Sequence, residues 1–103
     1  MFEKIALFVF EKEKVKKDIS VAFVGEQRMR TLNKRFRNVD KSTDVLSFVD
    51  IETIVICPAK TDNIRKIFIH GLLHLLGYSH DTLKNAKILE RKQNQYLELC
   101  QGI

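Results

Sequence analysis

His70-Gly71-Leu72-Leu73-His74-Leu75-Leu76-Gly77-Tyr78-Ser79-His80 holds every histidine in the chain. Residues four apart on a helix lie one above the other on a single face, so His70 and His74 can bring both imidazoles to one ion. His80 cannot join them along a straight helix, because ten residues would carry it about 15 Å up the axis. Gly77 supplies the remedy. Glycine takes the left-handed conformation that ends a helix, and the chain can then fold back to set His80 against the first two rings. Three neutral nitrogens converging in this way suit zinc or another divalent first-row ion, with a fourth position left for water. A lone histidine among leucines is usually a core residue with its hydrogen bonds satisfied. Three at this spacing, with a glycine at the turn, form a metal-site pattern.

Around the histidines, Ile64, Ile67, Phe68, Leu72, Leu75 and Leu76 are apolar on all sides, which predicts a buried central helix. Thr61 or Asp62 is expected to cap its start. Gly71 inside it costs about 1 kcal/mol relative to alanine, so another element is expected to approach closely there. The spacing matches the zinc helix of metalloproteases, His-Glu-x-x-His-x-x-Gly-x-x-His, except that Gly71 stands where that helix carries its glutamate base. A peptidase reading therefore lacks its general base.

Upstream, Asp44 to Val49 reads as a strand and Thr53 to Cys57 as another, stopped by Pro58. Glu26 to Arg37 is a basic amphipathic helix that turns Met29, Leu32, Asn33 and Phe36 inward. Ile19 to Val24, rich in β-branched residues, reads as a strand closed by Gly25. Phe2 to about Lys14 follows helical spacing through Phe2, Ile5, Ala6, Val9 and Phe10, although a strand over Ile5 to Phe10 is the competing reading. Beyond His80, Thr82 caps a last helix reaching about Cys100. With 103 residues and no repeats or linkers, the chain reads as a single domain over 1–103. Its expected class is α+β: a small mixed sheet of three to four strands packed against helices, with the histidine helix buried at the centre.

The longest apolar stretch, Ile67 to Leu76, is broken by two histidines and is too short to span a bilayer. No signal peptide is evident, and the expected location is cytoplasmic. Cys57 and Cys100 form no motif and read as reduced, buried or half-buried thiols, with a fourth metal ligand from either the lesser alternative. The charge is more telling. Arg28, Arg30, Lys34, Arg35, Arg37 and Lys41 face a single acid, Asp40, and this segment holds the whole formal excess of +5. A basic run is more often a solvated face than a binding site. Beside a hydrolytic-looking metal site, phosphates become the fitting substrate.

The histidine run and a second stretch together resemble the YbeY family, metal-dependent endoribonucleases of ribosomal RNA maturation and ribosome quality control. The second stretch is Asn33-Lys34-Arg35-Phe36-Arg37 followed by Asp40-Lys41-Ser42-Thr43-Asp44-Val45-Leu46-Ser47-Phe48. Its family counterpart is an arginine ending the second helix, a polar loop, and a Thr-Asp-Val-Leu-Ser-Phe strand. The resemblance implies that His70, His74 and His80 are the metal ligands and that Arg37 is the catalytic arginine facing the same cleft. It further implies a single-strand-specific enzyme acting on small-subunit ribosomal RNA 3′ ends, with ribosomal proteins or an assembly GTPase as partners. Departures are visible: Ser79 stands where the family has aspartate, with Asp81 after the histidine, and Val49 replaces a proline. The family's first strand is absent and the loop before Ile54 is short. The chain therefore looks like a reduced member, whose exposed sheet edge another copy could cover, giving a monomer or a homodimer.

On this reading, hydroxide generated at a zinc site attacks an RNA phosphodiester while Arg37 steadies the transition-state charge. Arg28, Arg30, Lys34, Arg35 and Lys41 are expected to track the RNA backbone. Two alternatives stay open: a ribosome-assembly or RNA-binding factor whose zinc is structural and closed by a fourth ligand such as Cys57, and, less favoured, a zinc peptidase.

Overall fold

Apolar residues alternate along three short strands and decide which helices each face of the sheet receives. The strands are β1 (Ser20–Phe23), β2 (Val45–Phe48) and β3 (Thr53–Ile56). Their order is β1-β3-β2, with β3 parallel to β1 and antiparallel to β2. The structure, a computed structural model, describes every residue from Met1 to Ile103. Val21, Val45, Ile54 and Ile56 pack with α1 (Phe2–Glu13), α3 (Ile64–Leu75) and α4 (Leu83–Leu99). Leu46, Phe48 and Val55 pack instead beneath Met29 and Leu32 of α2 (Glu26–Arg37). The fold is α+β, with the sheet as a thin middle layer.

The histidine helix α3 is the centre of the larger core. Phe68, Ile69, Leu72 and Leu73 are completely buried, and each such side chain contributes about 1.5–3 kcal/mol. Its cap is Asn63, whose side chain accepts from the Lys66 backbone N–H at 3.2 Å. That corrects the expected cap at Thr61 or Asp62. Pro58 to Lys60 close a 3₁₀ turn that leaves Thr61 extended, so the helix begins later and Thr61 Oγ1 accepts from the Asn63 N–H instead. The close approach expected at Gly71 is the sheet itself. A Cβ there would lie 2.9 Å from Ile54 Cγ2 and 3.2 Å from Ser47 Oγ, and Ser47 Oγ donates to the Gly71 carbonyl at 3.1 Å.

The N-terminal segment is helical, with Ile5, Ala6, Val9 and Phe10 buried and Lys14 left-handed at its end. Phe36 departs from its expected inward position. It is half exposed and meets Phe48 edge-on at 5.2 Å, because the last turn of α2 runs out past the β2 edge. Glu13, at the end of α1, accepts hydrogen bonds from Tyr78 at 2.6 Å, from Tyr96, and from Lys92 at 3.1 Å. It thereby ties α1 and α4 to the turn that follows α3. Both cysteines are free and buried, and no helix is long and apolar enough to cross a membrane.

Candidate metal centre

His70 and His74 stand one turn apart on α3, and Gly77, at φ +103°, ends the helix. The Gly77 N–H donates to the His74 carbonyl and the Tyr78 N–H to the Leu73 carbonyl, each at 3.0 Å. This is the paired closure that glycine permits at a helix end. It turns the chain so that His80 returns to the other two rings. The His70 and His74 Nε2 atoms are 3.0 Å apart, those of His74 and His80 3.2 Å, and those of His80 and His70 3.4 Å. Tetrahedral zinc with Zn–N distances of about 2.0–2.1 Å spaces its nitrogens by about 3.3 Å. The three rings thus present one face of such a tetrahedron.

The protonation of the rings follows from their surroundings. His70 Nδ1 donates to Gln93 Oε1 at 2.6 Å, which leaves Nε2 as the lone-pair nitrogen. Burial, then the nearby His80, pushes the His70 pKa down against the Gln93 bond. Burial, then the His70 and His80 rings, takes His74 down to about 4. At neutral pH these two imidazoles are ready to donate electron pairs. No cysteine or carboxylate joins the cluster. Cys57 packs with Met29, Leu46 and Val55 on the α2 side of the sheet. The protein therefore offers three ligands and no fourth.

The histidines form one wall of a cleft of about 590 Å³ that also contains Arg37, Asp44, Ser47, Tyr78 and Ser79. Arg37 Nη2 donates to the Ser47 carbonyl at 2.7 Å and Nη1 to the Phe36 carbonyl at 3.3 Å, with the guanidinium 5.2 Å from the Phe48 ring centre. Two of its five N–H donors are used in this pinning and three are left for a ligand. Asp44 is the one carboxylate in the cleft wall. Asp81 lies outside it, accepting from Ser79 at 2.7 Å and from Asn85 at 2.8 Å, bonds that lower its pKa.

The basic run is not gathered in the cleft. Arg30 pairs with Asp40 at 2.8 Å, with Lys34 4.0 Å from the same carboxylate. Arg35 lies over Phe36, and Arg30, Lys34 and Arg35 line a separate depression on the outside of α2. Arg28 and Lys41 are exposed, and neither lines the histidine cleft. Sequence reasoning missed Gln93. Its signal was a polar residue inside the buried stripe Leu89, Gln93, Tyr96, Cys100 of the last helix.

Residues 1–60 and 58–101 each match the family model described as Endoribonuclease YbeY. The chain belongs to the YbeY family. The Endoribonuclease YbeY of Nautilia profundicola is 42% identical over 85 residues, covering 64% of this chain and 61% of the relative. That of Nitratiruptor is 40% identical over 83 residues, covering 62% and 58%. That of Francisella tularensis is 35% identical over 106 residues, covering 78% and 65%. The chain thus spans roughly three-fifths of the length of the YbeY relatives it matches. The Francisella alignment is longer than the chain itself yet covers only 78% of it, so this YbeY relative carries internal residues that the chain lacks. The two matched pieces meet at 58–60, just beyond β3.

Proposed function

We propose that the chain is a metal-dependent, single-strand-specific endoribonuclease that hydrolyses RNA phosphodiester bonds, with His70, His74 and His80 holding one zinc or similar divalent first-row ion. The observation that carries this reading is the triangle of Nε2 atoms, 3.0–3.4 Å on a side, facing a cleft that also holds a pinned arginine. When bound, such an ion supplies a Lewis acid for a phosphate oxygen and lowers the pKa of water to about 7. Arg37, stacked on Phe48 and anchored to Ser47, presents its remaining donors to the scissile phosphate and stabilises the charge gained in the transition state. Asp44, the one carboxylate in the cleft wall, would take a proton from the attacking water and return it to the departing ribose oxygen as the bond to phosphorus breaks.

Family membership supports a role in ribosomal RNA maturation, including 3′-end processing of the small-subunit RNA, and in ribosome quality control. On that role the partners are the small subunit, its proteins or an assembly GTPase, in the cytoplasm. Two observations weigh against the rival readings. A side chain at Gly71, the position of a peptidase's glutamate base, would run into Ile54 and Ser47, and Cys57 is placed away from the histidines.

The test is cleavage of end-labelled single-stranded RNA by the zinc-loaded protein, alongside Arg37→Ala. Loss of one transition-state donor costs about 10²–10³-fold in rate, so the variant keeps its zinc and loses nearly all cleavage. A variant that cuts at the wild-type rate, or a zinc-loaded wild type that leaves RNA intact, overturns the proposal.

A further inference from the structure

A second groove, of about 960 Å³, leads away from the histidines toward the start of α3. It shares Asp44, Val45 and His70 with the Arg37 cleft, so the two are arms of one channel that passes the metal ligands. Its floor is α3, where Lys66 lies four residues before His70 and therefore on the ligand face, about 6 Å along the axis. Lys66 is exposed and makes no ion pair. The other lysine of this arm, Lys60, is turned to Glu26 at 3.7 Å. Three acids line this arm: Glu26, which faces Lys60, Asp44 at the junction and Asp62 on the rim. The rest of the rim, Thr61 and Asn63, is polar and uncharged.

We propose that this arm carries the substrate strand onward past the scissile bond, and that Lys66 holds a backbone phosphate there. The proposal rests on the endoribonuclease reading and adds a contact to it. An enzyme that cuts within a strand must grip RNA on both sides of the cut, and Arg37 accounts for one side only. Lys66 is the one ammonium of this arm without a carboxylate partner, with Thr61 and Asn63 on the rim and the carboxylates of Glu26, Asp44 and Asp62 elsewhere in the lining, and it suits a single phosphate of a sugar-phosphate backbone. The outer wall of the arm is the loop of residues 59–63, next to the point where the two pieces of the family match meet.

The experiment measures binding of a fluorescent single-stranded RNA to the zinc-loaded full chain by anisotropy across a salt series. Wild type is compared with Lys66→Met, Lys66→Arg, and Lys16→Met, an exposed lysine that lines neither arm. Lys66→Met is expected to weaken binding severalfold and to reduce the slope of log affinity against log salt by about 0.7, the value for one phosphate contact on a single strand. Lys66→Arg restores both, and Lys16→Met changes neither. Single methylphosphonate substitutions along the RNA then show one sensitive position beside the cut that Lys66→Met ignores. If wild type binds and cuts RNA while Lys66→Met matches Lys16→Met in affinity and slope, the second arm is not a substrate path. A wild type that binds no RNA removes the endoribonuclease reading itself.

Discussion

Gly71→Ala places a methyl where the structure has no room for one. Its Cβ would meet Ile54 Cγ2 at 2.9 Å, and that methyl belongs to a fully buried, β-branched residue of the central strand. Ile54 cannot swing aside as the end of a long side chain would. Either α3 lifts from the sheet or β3 bows, and an added methylene in a packed core costs about 1–3 kcal/mol. Against this, replacing a mid-helix glycine by alanine returns about 1 kcal/mol of helix propensity. The net expectation is a loss of about 1 kcal/mol, or a fall in Tm of about 4–8 °C for a domain of this size. Urea unfolding of the metal-free protein reads the difference directly. The sign decides the matter. Propensity acting alone makes the variant about 1 kcal/mol more stable, and that result would refute the claim that α3 is pressed against the sheet at this residue. Ile54→Leu, which moves the methyl off Cβ, should recover part of the loss in the double variant.

Three further outcomes follow from the site. Gln93→Leu removes the acceptor that orients His70 and is expected to weaken zinc binding about 10–100-fold, read by chelator competition; Gln93→Glu keeps or raises the affinity, and unchanged binding in the leucine variant would mean that the bond does not orient the ring. For Glu13, burial works to raise the pKa, but the bonds from Tyr78, Tyr96 and Lys92 prevail and hold it below the usual glutamate range. A depressed carboxylate stabilises the fold above its unfolded pKa of about 4.3 and loses that contribution as pH falls through the lower folded value. Glu13→Gln should therefore be less stable at pH 7, by about 1 kcal/mol after solvent screening, and the two stabilities should converge as the pH falls below the depressed folded value. Affinity of wild type for single-stranded RNA should fall steeply with salt, and flat titrations between low and moderate salt would contradict backbone recognition.

The histidine helix was legible because its geometry is local. A spacing of four sets two rings on one face, and Gly77 marks where the third can return, so the centre followed from eleven residues. The bounds of α2, Glu26 to Arg37, were equally readable, since Gly25 and Asn38 flank a strongly amphipathic run. What escaped depends on other elements. α3 starts at Ile64 with Asn63 as its cap because the turn at Pro58 to Lys60 leaves Thr61 extended, with its hydroxyl accepting from the Asn63 N–H rather than from a helical N–H. Gln93 matters only because α4 crosses behind His70. The basic run was read as a count, whereas its placement depends on angle around the helix. Met29, Asn33 and Arg37 are four apart, so Arg37 continues the buried stripe to the sheet edge while Arg30, Lys34 and Arg35 point elsewhere. That register was present in the sequence, but its meaning required the position of β2.

X-ray absorption at the zinc edge, on protein loaded with one equivalent of zinc, tests the centre most directly. Three imidazole nitrogens and one light oxygen scatterer at about 2.0–2.1 Å are expected. A sulfur at about 2.3 Å, a fourth protein nitrogen, or failure to retain a stoichiometric ion would contradict a three-histidine site open to substrate.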